Sequence, residues 1–359
     1  MSRVYLDHNA TAPLRPEARE SMIAAMDVVG NPSSVHAEGR AAKAVVEKAR
    51  GQVAAALGCK PGEVIFTSGA TEAAAVLGMV PEGHDVYVQD TAHDCLWSHV
   101  NMTNADTRPE GPGHTLAMGL ANSETGVVTA PAGKENGMWP YGRARASWLL
   151  LDVVQAVGRI PFAFSWSGAD MAIVSAHKMG GPKGVGALIL REGLDITPWI
   201  TGGGQEMGRR SGTENVIGIA GFGAAAEAAV RDLADGVWDR VGKLRDGLEA
   251  AIEDGAKETI FVGKGAERLP NTACFVTPGW KGETQVMQMD LAGFAISAGS
   301  ACSSGKVKTS RVLRAMGFDE TAAGSAIRVS LGPDTTEDEI MRFAEAWLAQ
   351  HRKYRARAA

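Results

Sequence analysis

Short apolar runs alternate with helical patterns along much of this chain, and this alternation restricts its fold more than any other feature. The runs have the length of buried strands and are bounded by turn residues: Val64–Phe66, Val86–Val88, Leu149–Leu151, Met171–Val174 and Val185–Leu190. Ahead of them, Glu38–Leu57 repeats apolar residues at helical spacing, and Gly58 is placed to end that helix. The alternation predicts an α/β fold with a mostly parallel sheet between helices.

The pattern changes beyond about Glu214. Helical patterns cover roughly residues 214–234 and 237–254, and short strands are predicted near 260–262, 273–276 and 294–297. A last helix is predicted from about Thr336 to Arg352, with Thr336 as its N-cap and Glu339 completing a capping box. A chain of 359 residues is long enough for two cores. We therefore predict a large α/β domain of residues 15–235 and a smaller α+β domain formed by residues 1–14 and 236–359.

Composition excludes several classes of function. The net charge of −5 argues against a nucleic-acid partner, since such proteins usually present a basic face. The cysteines are widely spaced and predict neither a zinc site nor a disulfide framework, and we expect no metal. The N-terminus has no signal-like apolar segment and no run reaches membrane-spanning length. We therefore expect no membrane association and a cytoplasmic location.

Two predicted strands end in residues that suit cofactor chemistry. Asp152 follows one strand and Lys178 follows the next, and ligands of α/β sheets bind beyond the carboxyl ends of strands. A lysine removed from water there can become an amine that forms imines with carbonyl compounds. Pyridoxal 5′-phosphate (PLP) needs such a lysine and an acid that keeps its pyridine nitrogen protonated. Gln155 is placed to reach the ring hydroxyl, although Asp152 also fits a plain helix N-cap.

Two further junctions between strand and helix fit the same cofactor. Thr67–Glu72 follows the strand Val64–Phe66 with a glycine turn and opens a helix, an arrangement that binds phosphate through free N–H groups. The alternative is an ordinary N-cap by Ser68 or Thr71. His93 follows another strand and could stack on a flat ring, although a single histidine is more often structural.

Two glycine-rich segments lie later in the chain. Gly202–Thr213 is either a flexible connector or a segment that brings Thr213 to a phosphate, across a dimer interface. Ala298–Gly305 places Cys302 among small residues, which is typical of an accessible thiol rather than a core cysteine.

In their order, these segments resemble the cysteine desulfurases of the class-V aminotransferase family, long-loop class. The resemblance covers nearly the whole chain, through Tyr5–Pro13, Gly30–Ser34, Thr67–Glu72, Asn122–Gly126, Asp152–Gln155, Ser175–Lys178, Gly181–Gly184, Arg209–Thr213, Ser300–Cys302 and Ile327–Gly332. It implies PLP fold type I, with a mostly parallel sheet of the seven-stranded type in the large domain.

The resemblance also implies a role for each cofactor residue. Lys178 would hold PLP covalently, His93 would stack on the ring and move protons, and Asp152 and Gln155 would bind the pyridine nitrogen and the ring oxygen. The phosphate would be bound by Ala70, Thr71, Ser175 and His177, with Thr213 coming from the second subunit of a homodimer. Ser123 stands where the family usually has an asparagine that contacts the ring oxygen, which is a departure from the family pattern.

The implied substrate is L-cysteine. Arg328 would clamp its carboxylate with help from Asn31, and Cys302 would attack its sulfur and become a persulfide as alanine leaves. The sulfur would then pass to an acceptor or iron–sulfur scaffold protein. Two further departures from the family pattern are the segment between His93 and Asn122, which is shorter than usual, and the sequence after the last predicted helix, which lacks the longer tail that many family members use near their scaffold partner.

Other functions fit the same residues. A selenocysteine lyase or another class-V PLP lyase or aminotransferase would use the same cofactor residues. A non-catalytic sulfur-assembly subunit would keep the fold without turnover, but the joint presence of Lys178, Asp152, His93, Arg328 and Cys302 argues against it.

Overall fold

The computed structural model describes residues 3–80, 84–101, 113–299 and 309–358. The chain divides into a larger unit, Pro13–Leu120 with Ala130–Leu233, and a smaller unit, Met1–Ala12 with Ala121–Thr129 and Ala234–Ala359. The assignment of Ala121–Thr129 to the smaller unit was not among our expectations. The division into domains at 14/15 and 235/236 stays a prediction.

The helices are α1 (Pro16–Met26), α2 (Ala37–Leu57), α3 (Ala70–Ala74), α4 (Asp94–Trp97), α5 (Phe164–Ser167), α6 (Val216–Ala234), α7 (Val237–Gly255), α8 (Gly282–Leu291), α9 (Arg311–Ala315), α10 (Glu320–Ala323) and α11 (Glu337–Ala358). Short 3₁₀ turns occur at Pro61–Glu63, Ala75–Met79, Ala176–Lys178 and Gln205–Gly208.

The strands are β1 (Val4–Tyr5), β2 (Val64–Thr67), β3 (Asp85–Val88), β4 (His114–Gly119), β5 (Trp139–Tyr141), β6 (Ala144–Ala146), β7 (Trp148–Asp152), β8 (Met171–Ser175), β9 (Gly186–Leu190), β10 (Ile260–Phe261), β11 (Thr272–Val276), β12 (Phe294–Ala295), β13 (Ser297–Ala298) and β14 (Ala326–Ser330).

The larger unit is built on a six-stranded sheet with the order β2-β9-β8-β7-β4-β3. The strands β3, β4, β7 and β8 pair in parallel, whereas β9 is antiparallel to both of its neighbours, β8 and β2. The predicted α/β class is confirmed. Within the described residues this sheet has six strands, not the seven of the expected type. The antiparallel direction of β9 could not be predicted, because an apolar run carries no signal of strand direction.

The core of the larger unit explains why its strands read as continuous apolar runs. Leu150, Ile173 and Leu188 lie on adjacent strands and are completely buried. Strands covered on both faces need apolar side chains at successive positions, not only at alternate ones. Each such side chain contributes about 1.5–3 kcal/mol by leaving water. The helix α2 ends at Leu57, and Gly58, the residue predicted to end it, is its C-cap in the left-handed conformation with φ 62°.

The smaller unit contains a four-stranded antiparallel sheet with the order β10-β11-β14-β13, and the short strands β1 and β12 pair in parallel. The helix α11 packs against α7 and α8. Its predicted capping box is confirmed, since the Glu339 side chain accepts from the Thr336 N–H at 3.0 Å and Thr336 Oγ1 accepts from the Glu339 N–H at 3.3 Å. Throughout the part of the chain that the structure describes, no helix is long and apolar enough to cross a membrane.

Candidate active site

The parallel strands β7 and β8 bring Asp152 and Lys178 to the same edge of the sheet. β7 ends at Asp152, which lies beside Ile173 of β8, and β8 runs into the 3₁₀ turn that ends at Lys178. Asp152 is buried, and burial raises its pKa above the ordinary value, although His93, the Val154 N–H and Lys178 each lower it. These three neighbours therefore do not fully compensate the carboxylate for its lost hydration. A cation placed against the carboxylate would complete that compensation.

Asp152 does not cap a helix, which was the alternative reading of the sequence. Its Oδ1 accepts from the Val154 N–H at 2.9 Å, and the residues that follow form turns. The contact is a local side-chain turn, which fixes the direction of the carboxylate.

His93 lies close enough to Asp152 to act on its pKa, so the structure brings these two predicted residues together. It is also the N-cap of α4, because its Nδ1 accepts from the Cys95 N–H at 3.1 Å. With Nδ1 accepting, the proton of the neutral ring is carried by Nε2. The structural and the functional interpretation of this histidine are therefore compatible.

Cys95 was not among the predicted site residues. Burial raises the pKa of its thiol, while a hydrogen bond with the His93 side chain lowers it, and the net pKa is above the ordinary value. The thiol thus stays protonated at neutral pH and supports His93 rather than acting as a nucleophile.

The turn before α3 and the end of β8, where the phosphate site is predicted, lie close together. The N-cap of α3 is Gly69 without a side-chain cap, so neither Ser68 nor Thr71 caps the helix. A Cβ on Gly186 would come within 2.7 Å of the Gly69 Cα, and a Cβ on Gly69 would lie 4.0 Å from Ser175 Oγ. The N–H groups of the first helical turn, at Ala70 and Thr71, have no intrahelical acceptor in an α-helix. The arrangement suits a phosphate between α3 and Ser175.

His177 adds a neutral donor to this region. Burial above all, followed by the positive charges of Lys178, Lys183 and Arg159, lowers its pKa to about 4. The ring is therefore uncharged at neutral pH and can donate an N–H to an anion.

Arg159 links Gln155 to Lys178 and was missed by the sequence analysis. Its Nη1 donates to the Gln155 side-chain oxygen, and its Nη2 donates to the Lys178 carbonyl oxygen at 2.9 Å. Gln155 and Arg159 are both buried. With its oxygen held by Arg159, the Gln155 amide has its NH₂ group as the end that can donate elsewhere. The spacing of four residues was the available signal.

The glycine-rich loop Gly202–Thr213 is attached to α3 of its own chain through Arg210. Arg210 Nε donates to Glu72 Oε1 at 2.9 Å. Thr213 is exposed and lines a cavity of ≈ 120 Å³ with Thr67 and Ser68.

Asn31 is also exposed in the larger unit, where its side-chain oxygen accepts from the Ser33 N–H at 2.9 Å. The predicted role of Asn31 at the substrate carboxylate stays a prediction.

Arg328 lies in β14 of the smaller unit and is 2% exposed. Its Nη2 donates to Asp7 Oδ1 at 2.7 Å and its Nη1 to the Ser123 carbonyl oxygen at 3.0 Å. Its Nε has no hydrogen-bond acceptor among the described residues. A buried guanidinium N–H without an acceptor is costly, and an anionic ligand would satisfy it. The predicted contact of Ser123 with the ring oxygen of PLP stays a prediction.

Cys302 lies outside the described residues. The last described residue before it is Gly299, whose N–H donates to the Ala326 carbonyl oxygen at 3.0 Å. After it, Ser310 caps α9 by accepting from the Leu313 N–H at 3.0 Å and donates to Glu124. Elsewhere in the described ranges, no group of three or more His, Cys, Asp or Glu could hold a metal ion.

The chain is similar along nearly its whole length to known proteins. The profile of the family described as Aminotransferase class-V matches residues 4–104 and 114–343. The cysteine desulfurase of Cereibacter sphaeroides is 37% identical over 374 residues, covering 96% of this chain and 95% of that protein. The cysteine desulfurase of Frankia sp. (strain EuIK1) is 40% identical over 385 residues, covering 95% and 90%. The solved structure of a NifS-like protein from Rickettsia africae has a TM-score of 0.84 at 30% identity, covering 96% and 98%.

Proposed function

This chain belongs to the class-V aminotransferase family and is a PLP-dependent cysteine desulfurase, and we propose how its residues divide that reaction. The larger unit binds the cofactor. The smaller unit supplies the arginine that holds L-cysteine and the thiol that takes its sulfur. The observation that carries this proposal is the placement of Asp152 and Lys178 on neighbouring parallel strand ends, with His93 acting on the same carboxylate.

The residues of the larger unit fit PLP. The under-compensated Asp152 carboxylate suits a protonated pyridine nitrogen, and the Gly69 turn beside Ser175 suits a phosphate. Gln155, oriented by Arg159, would donate to the ring oxygen. When bound, PLP supplies an electron sink that stabilises negative charge on the substrate.

Protons are moved by residues of the larger unit. Lys178 would hold the cofactor through its Nζ and, when displaced, take up and return a proton there. His93 would stack on the ring and donate from Nε2, since its Nδ1 is occupied by the Cys95 N–H. His177, neutral at physiological pH, would donate to the phosphate together with Ser175.

Residues of the smaller unit would handle the substrate. Arg328 would bind the carboxylate of L-cysteine, with Asn31 of the larger unit assisting. The Cys302 thiolate would form a sulfur–sulfur bond with the substrate as the carbon–sulfur bond breaks. The electron pair of that bond stays on carbon, which takes a proton, so that the products are alanine and a Cys302 persulfide.

A homodimer would complete the phosphate site. Val29 and Val35 are 91% and 88% exposed, and Met207 in the glycine-rich loop is exposed as well. Apolar side chains so exposed are typical of a surface that another chain covers. We infer that a second copy covers them and that Thr213 reaches the partner's phosphate. Sedimentation at equilibrium should give a dimer, and Val29→Glu with Val35→Glu should yield monomers that bind PLP more weakly.

Two further parts of the proposal concern the cell. The persulfide would be passed to a sulfur-acceptor or iron–sulfur scaffold protein. The location would be the cytoplasm, which is supported by Cys59, Cys95 and Cys274 being free of disulfides among the described residues.

The decisive experiment compares two cysteine variants. Cys302→Ala should keep the visible absorbance of the bound cofactor and lose alanine and sulfide formation from L-cysteine by about 10³-fold or more, because the sulfur has no acceptor. Cys59→Ala is the matched control, since burial raises the pKa of that thiol to about 12 and keeps it unreactive. Alanine formation from selenocysteine alone would indicate a selenocysteine lyase, and none from either substrate a non-catalytic subunit.

A further inference from the structure

The glycine-rich loop contains two residues in an unusual backbone conformation. Glu206 has φ 49° and Met207 has φ 59°, in the left-handed region that favours glycine. Each such residue costs about 1–2 kcal/mol, so the surrounding structure must hold the loop in this form.

The Glu206 carboxylate holds the glycine-rich loop in this conformation. It is 2% exposed and accepts from Arg50 Nη1 at 2.8 Å, from Arg50 Nη2 at 2.9 Å and from the Phe66 N–H at 3.0 Å. The two contacts with Arg50 form a bidentate pair, the strongest geometry for a carboxylate and a guanidinium. Glu206 therefore attaches the loop to α2 and to β2 at once.

Arg50 is held equally firmly. Its Nη1 also donates to the Val64 carbonyl oxygen at 2.8 Å, and its guanidinium lies over the Phe66 ring, 4.8 Å from the centroid. Although burial lowers it, the pKa of Arg50 is raised above its ordinary value by Glu206 and Glu47. The Arg50 guanidinium is thus directed to β2, to the loop and, through Nε, to Glu47 of its own helix at 3.2 Å.

The strand β2, which Glu206 and Arg50 contact, leads directly into the Gly69 turn, where the phosphate is proposed to bind. β2 ends at Thr67, one residue after Phe66 and two before Gly69. Further along the loop, Arg210 contacts Glu72 of α3, whose other oxygen accepts from the Ser68 N–H at 2.7 Å. Although burial raises the pKa of Glu72, the hydrogen bonds from Arg210 and Ser68 bring it below the ordinary value. The loop is thus attached to β2 just before the Gly69 turn and to α3 just after it, and Thr213 follows the second attachment.

We propose that Glu206, held by Arg50, is a positioning residue for the cofactor phosphate: it fixes the glycine-rich loop in the conformation from which Thr213 binds the phosphate of the cofactor in the second subunit. The inference rests on the proposed role of Thr213 and deepens it. It requires that loss of the pair weakens binding of the phosphate group in particular, not binding of the pyridine ring.

The test compares two cofactor probes on the full-length enzyme after removal of PLP. PLP and pyridoxal differ only in the phosphate, so the ratio of their dissociation constants isolates phosphate binding. Glu206→Gln should raise the Kd for PLP about 10-fold or more and leave the Kd for pyridoxal within about 2-fold, since a bidentate charged contact is lost from the loop alone. Arg50→Lys keeps the charge but not the fork and should give a smaller change in the same direction.

The chain offers a matched control in the smaller unit. Arg268 and Glu249 form a second bidentate pair, at 2.6 and 2.9 Å, with side chains 5% and 4% exposed. Glu249→Gln should lower the melting temperature as Glu206→Gln does, yet leave the ratio for PLP and pyridoxal unchanged. If Glu206→Gln raises both dissociation constants equally, or if Glu249→Gln changes the ratio as much, the pair is merely structural and the proposal is overturned.

Thr213→Ala separates this inference from the function on which it rests. If Thr213→Ala leaves the ratio unchanged, the proposed phosphate contact of Thr213 is wrong. If Thr213→Ala changes the ratio and Glu206→Gln does not, only the positioning role fails. Should Glu206→Gln not fold, Glu206→Asp and Arg50→Lys give the same comparison.

Discussion

The larger and the smaller unit each bury an arginine next to proposed site residues, and the two arginines use their donors differently. In the larger unit, Arg159 donates to the Gln155 side chain and to the Lys178 carbonyl oxygen. In the smaller unit, Arg328 donates to Asp7 and to the Ser123 carbonyl oxygen, and its Nε has no acceptor among the described residues. Arg159 orients protein groups, whereas Arg328 retains a donor that a ligand can satisfy.

Because of this difference, we expect substitutions in the two units to impair different steps of binding. Variants of the larger unit should alter how the cofactor is held. Variants of the smaller unit should leave the cofactor in place and alter how the substrate is held.

The largest effect is expected at Lys178. Lys178→Ala should abolish the absorbance of the covalently held cofactor and lower alanine formation by about 10⁴-fold or more, because the amine that anchors PLP is gone. The visible spectrum of the purified variant and an alanine assay measure both. Lys183→Ala, an exposed lysine of the following segment, is the control and should keep both signals. Survival of the absorbance in Lys178→Ala would mean that another residue is the anchor.

A smaller effect, of a different kind, is expected at Arg328. Arg328→Lys should raise the KM for L-cysteine about 10- to 100-fold, because a lysine ammonium cannot supply the Nε–H donor that the guanidinium retains for the substrate carboxylate. The spectrum and the Kd for PLP should not change. Steady-state kinetics with a parallel PLP titration distinguish the two quantities. If the variant instead loses PLP with an unchanged KM, the separation between the units is wrong.

The residues that could be predicted from the sequence are those with a local signal. Asp152 and Lys178 each follow an apolar run, and neighbouring parallel strands bring such positions to one edge of a sheet. Arg159 had a local signal that was overlooked, four residues beyond Gln155. The position of β9 had none, since an apolar run fits either strand direction.

Contacts between distant segments could not be predicted in this way. Glu206 and Arg50 are 156 positions apart, and Glu206 alone reads as a polar residue in a flexible loop. Its importance appears only when the burial of its carboxylate and the positive φ of its backbone are known together. Arg328 and Asp7 are separated further still, by 321 positions, and come together through the strand pairing of the smaller unit.

The smallest effect sharpens the comparison within the larger unit, because Asp152 should be unfavourable without the cofactor. Its folded-state pKa is raised, chiefly by burial, so the ionised carboxylate destabilises the fold above that pKa, and the penalty disappears as the pH falls below the ordinary value. In the PLP-free protein, Asp152→Asn should therefore raise the melting temperature by about 2–4 °C at pH 8 and by little near pH 4. Once PLP supplies a cation, the sign should reverse.

Asp170→Asn is the control, because Asp170 accepts from the Leu149 N–H at 2.8 Å and has a structural contact in both forms. Thermal unfolding of both variants, with and without PLP, separates a carboxylate that serves a ligand from one that serves the fold. An equal loss of stability in both forms of Asp152→Asn would place Asp152 in the second class.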